Sequence, residues 1–162
     1  MLSFDERVFR QFLHPFPFEG ALVDCSDEQR GIWIRVTELW QGGAVAREYC
    51  KKDPEERDRW MLVVGELQKL LSIARSDVFA VNLFACCQLF GRGTAQDVIG
   101  ARQGFLDVGN LGLSSGWYNL GVLVASPRFG SPDYIKAIRY FLKGAQAGCT
   151  FCKNRLEFLS VG

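Results

Sequence analysis

Apolar residues recur every three or four positions along much of the chain, which is the period of an amphipathic helix. In the N-terminal half these positions are Ile32, Val36, Leu39, Trp40, Leu62, Leu67, Leu70, Leu71 and Ala74. No stretch shows the sustained alternation of apolar and polar residues, bounded by a turn, that predicts a hairpin. The pattern therefore predicts an all-α protein.

Several helix starts can be recognised from their capping residues. Ser3-x-x-Glu6 and Ser26-x-x-Gln29 are capping-box patterns, in which each residue satisfies a free backbone N–H of the other. Two further segments, Asp53-Pro54 and Ser131-Pro132-Asp133, place a capping side chain before a proline at the first helical position.

Prolines and glycines predict where helices end. The segment HPFPFEG at 14–20 cannot continue a helix, because each proline lacks an amide donor and restricts the residue before it. We expect it to be extended, and we expect Gly42-Gly43 to break or bend the helix that begins near Ser26. Glycines and prolines at 91–93, 109–112 and 127–132 divide the C-terminal half into short helices.

A spacing of 36 residues relates two segments of the C-terminal half. Asp97, Ile99, Ala101, Phe105, Leu106 and Gly112 recur as Asp133, Ile135, Ala137, Phe141, Leu142 and Gly148. Asn82-Leu83 also recurs, as Asn119-Leu120, after 37 residues. A fixed period of this size is typical of a solenoid built from helix–turn–helix units.

The segment NLGVLVASPRFGSPDYIKAIRYFLKGAQAG at 119–148 resembles the Sel-one-like repeat, a relative of the tetratricopeptide repeat. The matching positions are Asn119, Leu120, Gly121, Asp133, Lys136, Ala137, Tyr140, Lys143, Ala145 and Gly148, with Gly144 replacing one alanine of the family pattern. The match is clearest over 114–148 and looser over 78–112, where Gly100 and Gly104 occupy the lysine and aromatic positions. The resemblance implies a short right-handed solenoid of antiparallel helix pairs.

We accordingly expect a single domain over 1–162. Capped helices that do not copy the motif occupy 1–77, two repeat units follow at 78–112 and 113–148, and a partial unit completes the chain at 149–162. A length of 162 residues is sufficient for one well-packed core.

Composition and charge favour a soluble globular protein. The chain has 48% hydrophobic and 23% charged residues and a net charge of +1. The N-terminus lacks the basic and apolar regions of a secretory signal, and no run reaches the ~18 apolar residues of a membrane span. We therefore expect a cytoplasmic protein. Residues 78–162 contain eight basic and four acidic side chains, an imbalance that favours an acidic partner.

The cysteines and the glycine-rich loop are the first places to look for chemistry. Cys149-x-x-Cys152 is compatible with a zinc or redox site, but adjacent Cys86 and Cys87 would point about 100° apart on a helix and are awkward additional ligands. We expect buried thiols and no metal or cofactor. The loop GRGTAQDVIG at 91–100 could cradle a phosphate. However, it lacks the Gly-Lys-Ser/Thr ending of a P-loop, and its spacing from FGSPDYIKA predicts a turn, with Thr94 as the helix cap.

Catalysis and nucleic-acid binding have little support in the sequence. His14 is the one histidine, and neither a zinc-protease pattern nor a Gly-x-Ser-x-Gly elbow is present. The basic residues are scattered and do not form the stripe interleaved with aromatic residues that nucleic-acid binding predicts. We expect a protein without enzymatic activity.

Protein–protein binding is the function that the sequence favours, because a helical solenoid presents an extended concave surface. The candidate partner-binding residues are Asn82, Arg92, Trp117, Tyr118, Asn119, Arg128, Lys136 and Arg139. Each has an alternative interpretation: core packing for the aromatic residues, a helix-to-helix hydrogen bond for the asparagines, and simple solvation for the charged residues. Trp33, Trp40, Trp60 and Tyr140 are predicted core residues.

The predicted role is a module that grips one dedicated partner protein, with no small-molecule substrate, nucleic acid or membrane involved. The resemblance implies an adaptor or scaffold. An immunity protein that neutralises a cognate bacterial toxin is the alternative, and the residues do not separate the two.

Overall fold

The computed structural model describes residues 25–46, 54–74 and 77–161, and within them the secondary structure is entirely helical. The helices are α1 (Asp27–Ala46), α2 (Pro54–Ile73), α3 (Val78–Phe90), α4 (Val98–Asn110), α5 (Ser115–Ala125), α6 (Tyr134–Gln146) and α7 (Thr150–Val161), with one 3₁₀ turn at Pro127–Phe129. The predicted all-α class is confirmed for these residues. Each helix packs against the next one along the chain. None of them combines the length and apolar character that crossing a bilayer requires.

Three tryptophans form the core of the first helix pair, as the sequence predicted. Trp33, Trp40 and Trp60 are all buried, and the rings of Trp40 and Trp60 meet edge to face with centroids 4.9 Å apart. The indole N–H of Trp33 donates to Asp77 at 3.3 Å. On the surface of the pair, Arg35 of α1 forms an ion pair with Glu66 of α2 at 3.1 Å.

The start of α1 is the predicted capping box. The Ser26 backbone N–H donates to Gln29 Oε1 at 2.8 Å, and the Gln29 N–H donates to Ser26 Oγ at 3.2 Å. Helix α2 begins at the predicted proline, Pro54. Helix α1 continues through Gly42 and Gly43 to Ala46, so of the predicted break or bend the break is wrong. The predictions for Ser3, Glu6, 14–20 and Asp53 lie outside the described residues.

Aspartates, and not the predicted residues, cap α4 and α6. Asp97 accepts from the Gly100 N–H at 2.8 Å, and Asp133 accepts from the Lys136 N–H at 2.9 Å. The caps predicted at Thr94 and at the Ser131-Pro132 step are therefore wrong. The helices start later because a carboxylate accepts the amide three residues on, which satisfies one of the free donors of the first turn.

Positions 36 residues apart have matching environments in α4 and α6. Ala101 and Ala137 are both fully buried, and so are Phe105 and Phe141, at 0% and 2% exposure. Gly112 and Gly148, which follow these helices, have φ of 102° and 94°. Glycine adopts a positive φ at little energetic cost, so the chain turns away from the end of both helices through the same kind of glycine turn.

Helix α5 lies at the centre of the C-terminal half, and every residue from 115 to 124 is buried. Two of its glycines permit this enclosure. A Cβ on Gly116 would collide with the backbone of α4 at Phe105 and Gly109, and a Cβ on Gly121 would collide with the Phe141 ring of α6. The close approach of α4 and α6 to α5 therefore depends on missing side chains.

The glycine-rich loop at 91–100 turns the chain and packs against α2. Gly91 and Gly93 have φ of 64° and 71°. A Cβ on Gly93 would collide with the Trp60 carbonyl, and the Arg92 guanidinium lies over the Trp60 ring at 5.3 Å from its centroid. The turn that the sequence predicted is confirmed, and the loop's backbone is in contact with α2.

Candidate protein-binding surface

Four of the predicted partner-binding residues are in the core. Asn82 and Asn119 are 3% and 0% exposed, and Asn119 Nδ2 donates to Asn82 Oδ1 at 2.9 Å. Of the two interpretations of these asparagines, the helix-to-helix hydrogen bond is therefore the one observed, and it joins α3 to α5. Trp117 and Tyr118 are 8% and 4% exposed. None of the four side chains lines an open groove.

The aromatic pair on α5 is buried by its neighbours. A Cβ on Gly109 of α4 would collide with the Trp117 indole. The ring of Tyr140 on α6 stacks with this indole at a centroid distance of 6.2 Å and an interplanar angle of 17°. Tyr118 packs near Phe141 and Phe151, with both ring-centroid distances at 6.1 Å. These contacts make the two residues a link between α4, α6 and α7.

The sequence contains a signal for this burial. Helix α5 reads SGWYNLGVLVA, with apolar or small residues on every side. A helix that is hydrophobic all round is a buried helix, whereas one that lines a groove has a polar face. The all-round pattern of α5 therefore favours a core position over a groove wall.

Arg92 and Arg128 lie on aromatic rings. Arg92 covers Trp60, while the guanidinium of Arg128 is 5.2 Å from the Phe90 centroid and 5.6 Å from that of Phe129. Such cation–π contacts stabilise by about 0.5–1 kcal/mol at exposed sites. Both arginines thus help to attach their loops to the helical body.

Lys136 and Arg139 are exposed on α6, where a third cation accompanies them. Lys143 lies one turn after Arg139, with its ammonium 4.7 Å from the Trp117 ring centroid. The sequence of α6, YIKAIRYFLKGAQ, contains no acidic residue. All the charged side chains of this helix are therefore basic.

The same side of α6 also exposes an apolar stripe, which sequence reasoning did not assign to binding. Ile135, Ile138 and Leu142 are 70%, 36% and 47% exposed. Their separations of three and four residues place them on one helix face. Ala137, Phe141 and Gly144 form the buried face. Helix α6 is thus apolar on two sides, and only one of them is covered.

A cavity of about 240 Å³ lies at the start of α6. Its wall includes Arg102 of α4, Lys136 of α6, the capping residue Asp133, and Phe129 and Ser131 of the connecting loop. Arg102 and Lys136 are cationic and Asp133 is anionic, so the charged residues of the wall sum to +1. The cavity is suited to an acidic group.

The cysteines do not assemble a metal centre in the described part of the chain, where no three potential ligands among His, Cys, Asp and Glu cluster. Cys86 and Cys87 are fully buried in α3. Desolvation raises the pKa of Cys86 well above its usual value and that of Cys87 to about 12. Both remain protonated, weakly reactive thiols at neutral pH.

Comparison with protein-family models, curated proteins and solved structures finds no match to this chain. The surface on α6 therefore has to be interpreted from its own residues.

Proposed function

We propose that this chain is a non-catalytic protein-binding module that binds an acidic, amphipathic segment of a partner protein on the outer face of α6. The helix pairs after residue 77 would stack as a short right-handed solenoid, an arrangement supported by the matching caps and buried residues at a spacing of 36. The binding surface differs from the concave groove expected from the sequence, because Asn82, Trp117, Tyr118 and Asn119 are buried.

The observation that carries the proposal is the second apolar face of α6. Ile135, Ile138 and Leu142 place a row of branched side chains in solvent on a helix that already has a complete buried face. An apolar side chain that is fully buried on binding contributes about 1.5–3 kcal/mol. A helix that lays its own apolar stripe along this row would recover that free energy.

Charge complementarity determines the kind of partner. Lys136 and Arg139 are exposed along one side of the stripe, Arg102 and Lys136 line the cavity at the start of α6, and α6 provides no acidic residue. A partner helix with Asp or Glu beside its apolar positions would pair with these cations. Opposite charge raises the association rate and excludes basic competitors, which would meet like charges.

Selection from a random peptide-display library tests the proposal. We expect the recovered peptides to combine apolar residues at helical spacing with acidic residues, and to lose binding to an Ile135→Glu/Leu142→Glu variant. The matched control is Leu62→Glu, which changes a leucine of 59% exposure on α2. Peptides without acidic residues, or peptides that bind both variants equally, would contradict the proposal.

Self-association is the competing use of the same stripe. Sedimentation velocity over a range of concentrations distinguishes it: a monomer supports a heterologous partner. A dimer that the Ile135→Glu/Leu142→Glu variant dissociates would assign the face to a second copy of this chain and overturn the proposal.

A further inference from the structure

The pair Cys149 and Cys152 differs in environment from the other buried thiols. Cys149 directly precedes α7, and its carbonyl accepts the Lys153 N–H at 3.2 Å, so it is the N-terminal capping residue. Its sulfur accepts the Cys152 backbone N–H at 3.4 Å. The first turn of α7 therefore directs an amide at the Cys149 sulfur.

Hydrogen bonding from the Cys152 thiol, from the backbone N–H groups of Cys152 and Phe151, and from the Ser114 hydroxyl lowers the pKa of the Cys149 thiol to about 6. The shared hydrogen bond from the Cys152 thiol is the largest of the effects that lower the pKa of Cys149, and it raises that of Cys152. The directions of the two pKa shifts favour Cys149 as the thiolate of the pair and Cys152 as the thiol.

The two cysteines also differ slightly in exposure. Cys149 is 3% exposed, whereas Cys152 is 0% exposed and packs against Gly144, where a Cβ would collide with the Cys152 sulfur. Of the two, Cys149 is therefore the more accessible residue.

We infer that Cys149 and Cys152 form a reversible dithiol–disulfide couple, with Cys149 as the attacking thiolate and Cys152 as the resolving thiol. The co-reactant is a low-molecular-weight disulfide, RSSR. The Cys149 thiolate attacks one sulfur, expels RS⁻ and forms a mixed disulfide. Cys152 then loses its proton, attacks the Cys149 sulfur and expels the second RS⁻. The protein loses two electrons, and RSSR is reduced to two thiols.

Oxidation of the folded chain by glutathione disulfide tests the inference. After acid quenching, blocking with N-ethylmaleimide and digestion, we expect mass spectrometry to find one intramolecular disulfide that joins Cys149 to Cys152. Cys152→Ser should stop at a glutathione adduct on Cys149, and Cys149→Ser should form neither product. The control Cys25→Ser should behave as wild type. A disulfide elsewhere, or no Cys149–Cys152 disulfide, would overturn the inference.

Alkylation rates provide a second test that does not require the disulfide to form. In the folded protein at neutral pH, iodoacetamide should modify Cys149 at least tenfold faster than Cys86 or Cys87. Those two thiols are the controls, because both are buried and burial raises the pKa of each. Equal rates at the three positions would contradict the role of Cys149 as the attacking thiolate.

Discussion

Helices α4 and α6 share their inward residues and differ in their outward ones. Asp97 and Asp133 cap them in the same way, and Phe105 and Phe141 fill equivalent buried positions. On the outside of α4, Gln103 Nε2 donates a hydrogen bond to Asp107 Oδ1 at 2.8 Å. The equivalent positions of α6 are occupied by two cations, Arg139 and Lys143.

The apolar residues diverge in the same way. Both helices expose an isoleucine in the first turn, Ile99 at 83% and Ile135 at 70%. Only α6 extends it into a stripe, because Ile138 stands where α4 has Arg102. The shared residues form the buried contacts of both helices, and the divergent ones give α6 the exposed apolar and basic residues on which the proposed binding surface rests.

The largest expected effect tests whether the inward positions are equivalent. Phe105→Ala and Phe141→Ala should each lower the free energy of unfolding by about 3–5 kcal/mol, since both remove a fully buried ring and leave a cavity. Urea denaturation followed by circular dichroism measures the loss. If either variant fails to fold, the milder pair Phe105→Leu and Phe141→Leu provides the same comparison. If the free energy of unfolding fell strongly for the variant in one helix and hardly at all for the variant in the other, the two positions would not be equivalent.

The buried asparagine pair tests the link between α3 and α5. Asn82→Leu or Asn119→Leu alone should cost about 1–3 kcal/mol of stability, because a buried amide loses its partner. The double variant should cost less than the sum of the two single variants. A double-mutant cycle by urea denaturation measures this coupling, and strictly additive losses would mean that the hydrogen bond contributes nothing.

The helix caps should give a smaller and equal effect in the two units. Asp97→Ala and Asp133→Ala should each cost about 1 kcal/mol, because each leaves an amide of the first turn without its acceptor. Thermal denaturation compares them with Thr94→Ala, which should be nearly neutral because Thr94 does not cap α4. If Thr94→Ala destabilised the protein as much as Asp97→Ala, Thr94 would have to be the capping residue of α4 after all.

The smallest effect on stability is expected on the outer faces. Ile99→Glu and Ile135→Glu should change the free energy of unfolding by no more than about 0.5 kcal/mol, as is usual for surface positions. Urea denaturation measures this, and a loss of several kcal/mol at either position would show that the isoleucine is part of the core.

Sequence reasoning succeeded where a short-range rule determines the structure. The capping box of Ser26 and Gln29 needs only residues three apart, and the burial of Val36 and Trp40 follows from helical periodicity. It was less successful where several elements compete for one residue. Trp117 and Tyr118 are buried because α4, α6 and α7 all close on α5, and the glycines that allow this lie on different helices.

The outer stripe was missed for a related reason. Ile135 and Leu142 were recognised as recurring residues, and recurrence alone does not distinguish a packing position from an exposed one. Placing Ala137 and Phe141 on the buried face leaves Ile135 and Leu142 on the opposite side. Recognising the stripe therefore requires the 36-residue spacing, which identifies the recurring residues, and helix geometry, which separates the buried face from the exposed one.

The most direct test of the account is the affinity of α6 for an acidic amphipathic helix. Fluorescence anisotropy with a labelled peptide recovered from the display selection would compare wild type, Ile135→Glu/Leu142→Glu and Leu62→Glu. We predict at least tenfold weaker binding for the α6 variant, or about 1.4 kcal/mol, with unchanged folding and no change for Leu62→Glu. Equal affinity for all three proteins, or equal loss in both variants, would contradict the assignment of α6 as the binding face.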